Sequence, residues 1–175
     1  MKIDSKKMSL ALLIFYLAAL TFIIVFKMQF SLEELGHYRS INLIPFGASV
    51  MTNGRLNYEE IIQNIFAFIP YGILLSSVWE KKHFLWKALP ICATSLIYET
   101  LQYLLAIGAS DITDLLMNTI GGLVGIGIFS DFSDMFPRYY RKVINIAACI
   151  CAVALTALVV LLLVVNRERR FCPVV

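Results

Sequence analysis

Two stretches of the chain place carboxylate and amide side chains at helical spacing within otherwise apolar sequence. Glu99 and Gln102 are three residues apart, so they share one face of a helix, and Asp111, Asp114 and Asn118 repeat that spacing further along. A carboxylate in such a segment can act as a general acid or base, hold a hard cation, or pair with an amine. These residues are therefore the first candidates for chemistry.

The elements that position them follow from composition. The chain has 175 residues, of which 59% are hydrophobic and 15% charged, and this leaves too little polar surface to cover a water-soluble globule. Runs of about twenty apolar residues are long enough to cross a bilayer as helices. The sequence thus predicts an all-α polytopic membrane protein, with a single domain over residues 1–175 and no separate soluble catalytic domain.

Five segments have the length and low charge of a transmembrane helix: residues 8–26, 61–79, 88–107, 111–129 and 143–165. The first and last are purely apolar, whereas the middle three contain the polar residues. A charge at the centre of a span costs roughly 2.5 to 3.5 kcal/mol on insertion scales. The polar side chains are therefore expected to face protein rather than lipid, in a bundle of about five helices.

The basic residues predict the orientation of these spans. With the N-terminus in the cytoplasm, nine Lys and Arg residues fall inside and six outside, as the positive-inside rule favours. The Arg-rich tail after the fifth span then falls outside, against that rule. The long connection over residues 27–60 becomes an extracytoplasmic loop, and its apolar stretch at residues 42–46 is expected to form a short interfacial helix or a re-entrant piece.

The same topology brings the polar residues to one side of the membrane. At a rise of 1.5 Å per residue, Asn64, Glu99 and Asn118 lie in the outer half of their spans, on the side of the long loop. We therefore expect a polar cavity that opens outward. Its candidate ligand-binding residues are Asn42, Asn64, Glu99, Gln102, Asp111, Asp114 and Asn118, and its candidate catalytic residues are Glu99, Asp111 and Asp114.

Each of these residues also has a purely structural explanation. Amide side chains can join helices by hydrogen bonds, and the glycines at residues 121–125 are typical of closely packed membrane helices. Asp111 and Asp114 stand at a predicted helix N-terminus, where carboxylates cap free N–H groups and favour the helix dipole. Glu99 is the hardest to explain in this way, because a carboxylate within a span is costly.

Other chemistries find little support. Cys92, Cys149 and Cys151 lie in apolar runs and are expected to be small buried core residues. The sequence contains no HExxH motif, no nucleophilic serine motif and no phosphate-binding glycine-rich motif, so we predict neither a cofactor nor a metal site. The cations form short separate clusters rather than a continuous basic face, which argues against nucleic acid as a partner.

Four motifs occur in order between residue 42 and about residue 127. They are Asn-Leu-Ile-Pro-Phe at residues 42–46, Asn-Ile-Phe-Ala-Phe-Ile-Pro-Tyr-Gly at residues 64–72, Glu-Thr-Leu-Gln at residues 99–102, and the stretch with both aspartates at residues 111–121. Together they resemble the VanZ-like membrane protein family. The family usually has a basic residue three positions before the first aspartate and often an acidic residue between the two; here Gly108 and Thr113 stand there. If that basic residue pairs with the carboxylates or with a ligand phosphate elsewhere in the family, this chain either uses another cation, Arg39 or Arg55, or has a changed ligand.

The resemblance implies a multi-pass protein of the bacterial plasma membrane that contributes to glycopeptide resistance of the teicoplanin type, with membrane lipids as partners. It supplies no reaction. The hypothesis we favour is that the polar cavity recognises a lipid-linked cell-wall precursor or a glycopeptide, because carboxylates bind amines and amides bind sugar or peptide groups.

Two other functions stay open. In the first, the protein is an intramembrane enzyme in which Glu99 is a general base and Asp111 with Asp114 holds a divalent cation. In the second, Glu99 couples proton movement to transport. Five spans without a visible internal duplication are few for a transporter, and a homodimer would relieve that objection.

Overall fold

The computed structural model describes residues 5–25, 38–47, 51–52, 55–56 and 58–171. Five long helices are present there, as predicted: α1 (Ser5–Ile24), α2 (Tyr58–Val78), α3 (Phe84–Leu105), α4 (Ile112–Met135) and α5 (Tyr140–Phe171). Four short strands accompany them: β1 (Tyr38–Asn42), β2 (Met51–Thr52), β3 (Arg55–Leu56) and β4 (Ile107–Asp111). The helices dominate, which confirms the all-α membrane class.

Four of these helices are long and apolar enough to cross a membrane: α1, α2, α4 and the Tyr140–Leu161 part of α5. The more polar α3 has 22 residues and is about 33 Å long. Near its start, the Lys87 ammonium lies 5.5 Å from the ring centroid of Phe129 on α4. Near its end, Glu99 accepts a hydrogen bond from the backbone N–H of Asp111, just before α4 begins. α3 therefore runs antiparallel to α4 along most of the bundle.

The helices alternate in direction. Ser9 of α1 contacts Ser77 of α2, and the Tyr16 hydroxyl donates to the carbonyl of Ala67 at 2.7 Å, so these two helices are antiparallel. The start of α1, the α2–α3 connection and the α4–α5 connection consequently lie at one end of the bundle, which we call the basic end because three clusters of Lys and Arg lie there. β1 and β4 lie at the opposite end, the strand end. The side of the membrane that each end faces stays a prediction.

The described part of the connection before α2 is not helical. β1 pairs with β4 in parallel, with Arg39 opposite Gly108 and Asn42 opposite Asp111, so the expected interfacial helix is wrong for residues 38–47, whereas the alternative of a re-entrant piece stays a prediction. Pairing provides hydrogen-bond partners for backbone N–H and C=O groups that a single extended segment would leave without partners. β2 and β3 form a short antiparallel pair, with Met51 opposite Leu56 and Thr52 opposite Arg55.

α2 and α4 run parallel and form the most extensive helix contact in the described chain. At Gly121 and Gly125, the backbone carbonyls of Ile65 and Ile69 stand where a β-carbon would be. Gly72 of α2 meets the backbone of α4 in the same way. The predicted role of the α4 glycines in close packing is thus confirmed, since any side chain there would force the two helices apart.

The cysteines depart from expectation. Cys92 and Cys151 are exposed and Cys149 is half-buried, and all three are free thiols. The prediction that they are buried core residues is therefore wrong for Cys92 and Cys151. The physical reason is that a small apolar residue on a membrane helix is stable against lipid and needs no protein partner.

Replacing Gly125 with alanine should destabilise the bundle. The new methyl group would collide with the Ile69 carbonyl, and overpacking of this kind costs about 1 to 3 kcal/mol of unfolding free energy. Thermal unfolding of the purified protein in detergent measures the effect. Gly127→Ala is the matched control, because a β-carbon there meets open space and alanine favours the helix by up to about 1 kcal/mol. Equal melting temperatures for the two variants would contradict the packing.

Labelling of single cysteines in a cysteine-free background tests the orientation. Ser40, which is exposed at the strand end, and Lys82, exposed at the basic end, are suitable positions. With a cytoplasmic N-terminus, Ser40→Cys reacts with an impermeant thiol reagent in intact cells, and Lys82→Cys reacts only after the membrane is opened. The opposite pattern would reverse the topology.

Candidate functional site

Asp111 stands where β4 ends and α4 begins. Its backbone N–H donates to Oε2 of Glu99 at 2.8 Å, and its Oδ1 accepts from the backbone N–H of Thr113 at 2.8 Å. Its Oδ2 accepts from the amide nitrogen of Asn42 at 3.1 Å. Asp111 is therefore the N-cap of α4, in the extended conformation that caps favour, and it links β1, α3 and α4.

Glu99 lies on α3 with only 4% of its surface exposed. The backbone N–H of Asp111 donates a hydrogen bond to its Oε2, and Asp111 and Asp114 stand at the adjoining start of α4. A carboxyl group removed from water requires such a donor, because burying it alone costs several kcal/mol. Three carboxyl groups thus come together at the strand end.

Asp114 is the acidic residue in the first turn of α4, where the positive end of the helix dipole stabilises its negative charge. Its Oδ1 accepts a hydrogen bond from the side chain of Asn64 on α2 at 2.7 Å. Both side chains are half-buried. This pair joins the two glycine-packed helices at the strand end.

Asn118 lies one helical turn deeper and is 1% exposed. Its Nδ2 donates to the hydroxyl of Ser95 on α3 at 3.1 Å. Its Oδ1 has no hydrogen-bond partner within the described chain, and a buried acceptor left in this state costs about 1 to 3 kcal/mol. Asn118 thus lies on the inner side of this group of polar residues, furthest from the strand end.

Gln102 is the candidate that the structure places elsewhere. Its Nε2 donates to the carbonyl of Ile24 at the end of α1, at 3.0 Å. The last carbonyls of a helix have no partner within that helix. Gln102 therefore supplies a hydrogen-bond donor to the end of α1 and does not join the carboxylates. Its position on the same face as Glu99 was correctly predicted, but that face contacts two different helices.

The loop after β1 covers the polar residues. Asn42 fixes its start, because Oδ1 accepts from the N–H of Ile44 at 3.1 Å. The backbone N–H of Phe46 donates to Thr113 Oγ1 at 2.9 Å, with Phe46 in the left-handed region at φ 57°. Such a conformation costs about 1 to 2 kcal/mol for a residue with a β-carbon. Leu43 and Ile44 are 74% and 70% exposed, so the loop presents apolar side chains outward.

Neither Thr113 nor the strained Phe46 was predicted as a site residue. Thr113 is completely buried and positions the loop. The sequence offers one signal for it, a threonine two residues after an N-cap aspartate, which is too common to single out. We refer below to Asn42, Asn64, Ser95, Glu99, Asp111, Thr113, Asp114 and Asn118 as the polar cluster.

Arg39 is the cation that the described chain places at this end. It is paired across the sheet with Gly108, the position where a basic residue was expected from the motif. Its guanidinium donates to the carbonyl of Leu104 at 3.1 Å and lies 5.8 Å from the ring centroid of Tyr103. The side chain of Arg55, the other candidate, lies outside the described part.

The side chains of the polar cluster bond largely to one another. An apolar-lined cavity of about 590 Å³ lies elsewhere, between α1, α2, α4 and α5, and the outward polar cavity expected from the sequence stays a prediction. In the part of the chain that can be described, no three His, Cys, Asp or Glu side chains are arranged to hold a metal ion. Ligand binding and catalysis by these residues stay predictions.

Comparison with known proteins identifies a family and a relative to which this chain is similar. The family model described as VanZ/LLP1 matches residues 13–136, which include the whole polar cluster and end before α5. Protein VanZ of Enterococcus faecium is 38% identical over 126 residues, covering 71% of this chain and 74% of that protein. No solved structure is significantly similar. With its motifs, its membrane-length helices and the matched region in agreement, the chain belongs to the VanZ/LLP1 family.

Proposed function

We propose that this protein contributes to glycopeptide resistance of the teicoplanin type by recognising an amphipathic cell-envelope molecule at the strand end. The ligand is a lipid-linked cell-wall precursor or the glycopeptide itself. Family membership and helices suited to crossing a bilayer support a membrane protein of this kind. The molecular part of the proposal rests on the geometry of the strand end.

The observation that supports recognition best is the meeting of an acidic, amide-rich cluster with an apolar loop. Asp114 and Asn64 are half-buried, and above them Leu43, Ile44 and Phe46 expose their side chains. An amphipathic ligand would place its hydrocarbon against the loop and its amine, peptide or hydroxyl groups against the carboxylate and amides.

We assign different roles to the residues at the strand end according to how deeply they are buried. Glu99 and Asp111 are almost completely buried, so we assign them to positioning β1, α3 and α4. Asp114 and Arg39 are nearer the surface, and we assign them to contact with the ligand. The carboxylate would attract an amine, and the guanidinium, held over Tyr103, would bind a phosphate or carboxylate.

An intramembrane enzyme acting on such a precursor is the second candidate. The observation in its favour is Glu99, a carboxyl group held against the β4 backbone with two further carboxylates close by. A group in this position suits a general base. A covalent change in a bound precursor, lost in Glu99→Gln, would place this function first.

Replacing Asp114 with asparagine should reduce resistance without reducing the amount of protein. The amide keeps the volume and can still bond to Asn64, but it loses the charge, and a hydrogen bond to a charged group contributes about 1.5 to 3 kcal/mol, or about tenfold or more in affinity. The measurement is teicoplanin susceptibility of a sensitive bacterial host, normalised to membrane abundance. Glu59→Gln is the control, since it removes an exposed acidic charge from the start of α2. An equal loss in both variants would argue against a site at Asp114.

Asp111→Ala should have the reverse effect. It removes the cap of α4, worth about 1 kcal/mol, and leaves the amide of Asn42 without this partner. Lower abundance or melting temperature is expected, with resistance per molecule close to that of the unchanged protein. Asp131→Ala, an exposed change on the same helix, should alter neither quantity. Normal abundance with abolished resistance would instead make Asp111 a ligand or catalytic residue.

A further inference from the structure

An apolar groove lies between α1, α2, α4 and α5. Its volume is about 590 Å³, and its lining includes Leu12, Pro70, Phe129, Val143, Ala148 and Leu155. The groove exists because α5 is attached to α1 but packs little against α4. None of the residues of the polar cluster lines it.

A pair of polar contacts fixes this arrangement of α5. The Ser9 hydroxyl donates to Oδ1 of Asn145 at 2.8 Å, and Nδ2 of Asn145 donates to the carbonyl of Ser5 at 2.9 Å. Ser9 and Asn145 are buried. α5 is therefore held near the start of α1 while its next turns diverge from α4 and leave the groove.

The volume and lining determine what can fill the groove. A space this large is costly to leave empty, and an apolar lining offers water no hydrogen bonds. A flexible hydrocarbon chain meets both conditions.

The groove is long enough for an extended acyl chain. Val143 and Leu155 both line it and are twelve residues apart on α5, about 18 Å along the helix, and on α1 the lining reaches Ile23, near the end of that helix. This is at least the depth of one leaflet, about 15 Å for a hydrocarbon core of about 30 Å. Because Val143 lies at the start of α5, the groove extends inward from the basic end.

At the end of the bundle where the groove begins, exposed cations of the described chain outnumber its exposed acidic residues, which are Glu80 and, on α4, Asp131 and Asp134. Lys142 is exposed and directly precedes Val143, and Lys7, Lys81, Lys82 and Arg138 are also exposed at this end. The carboxylate of Glu80, by contrast, is bound to Arg141 and to the Tyr140 hydroxyl. Clustered cations of this kind attract anionic lipid headgroups.

We propose that the groove is a binding site for one anionic phospholipid of the leaflet at the basic end. One acyl chain lies between α5 and the pair α2 and α4, and the phosphate lies near Lys142. The site is separate from the polar cluster and does not depend on the function proposed for it.

Native mass spectrometry of the protein taken from nanodiscs of equal phosphatidylglycerol and phosphatidylcholine tests the proposal. We expect one retained phosphatidylglycerol per protomer. Ala148→Trp fills the groove and should lose it, whereas Ala154→Trp places the same side chain on an exposed position outside the groove and should keep it. In Arg138→Gln/Lys142→Gln, the preference for phosphatidylglycerol should fall by about fivefold for each cation removed.

A second measurement on the unchanged protein avoids any effect of the tryptophan on folding. Phosphatidylglycerol with a photoreactive group on one acyl chain should crosslink to groove residues such as Phe129 and Ala148. Crosslinks confined to the outer face of α3, equal retention by both tryptophan variants, or a mass showing a second copy in place of the lipid would each overturn the proposal.

Discussion

The hydrocarbon interior of a membrane offers no partner for a polar group, so each one must find its partner within the protein. The hydrogen bond from the backbone N–H of Asp111 to Glu99 is the point where this constraint organises the molecule. To make it, α3 must return antiparallel to α4, and β4 must bring Asp111 beneath the end of α3. Once Asp111 is there, its side chain caps α4 and binds Asn42, which sets the start of the loop.

Close packing of α2 and α4 supplies the second half of this arrangement. The glycines on α4 let the two backbones meet, and only at that separation does Asn64 reach Asp114. The contact between polar residues at the strand end thus depends on the small residues in the middle of the helices. A change at the glycines would act on the polar cluster although it touches none of its side chains.

Much of this arrangement could be predicted from the sequence, because the helical spacing of polar residues and the length of apolar runs are strong signals. The five helices and the meeting of Asn42, Asn64, Glu99, Asp111, Asp114 and Asn118 follow from them. The pairing of β1 with β4 does not, since each strand has five residues and its partner lies far along the chain. Nor could spacing reveal that Gln102 binds α1, that members of the polar cluster hydrogen-bond to one another, or that α5 diverges to leave a groove. Those features depend on distances between helices, which no local pattern encodes.

The parallel pairing of β1 and β4 has a consequence for the making of the protein. Asn42 and Asp111 are separated by 69 positions, and two complete helices lie between them. At a synthesis rate of about 5 to 20 residues per second, β1 must wait about 3 to 14 s for its partner to be made. During that interval α2 and α3 are made ahead of the strand that pairs with β1. The loop with its exposed leucine and isoleucine therefore cannot take its final place until β4 and the first turn of α4 have also been made.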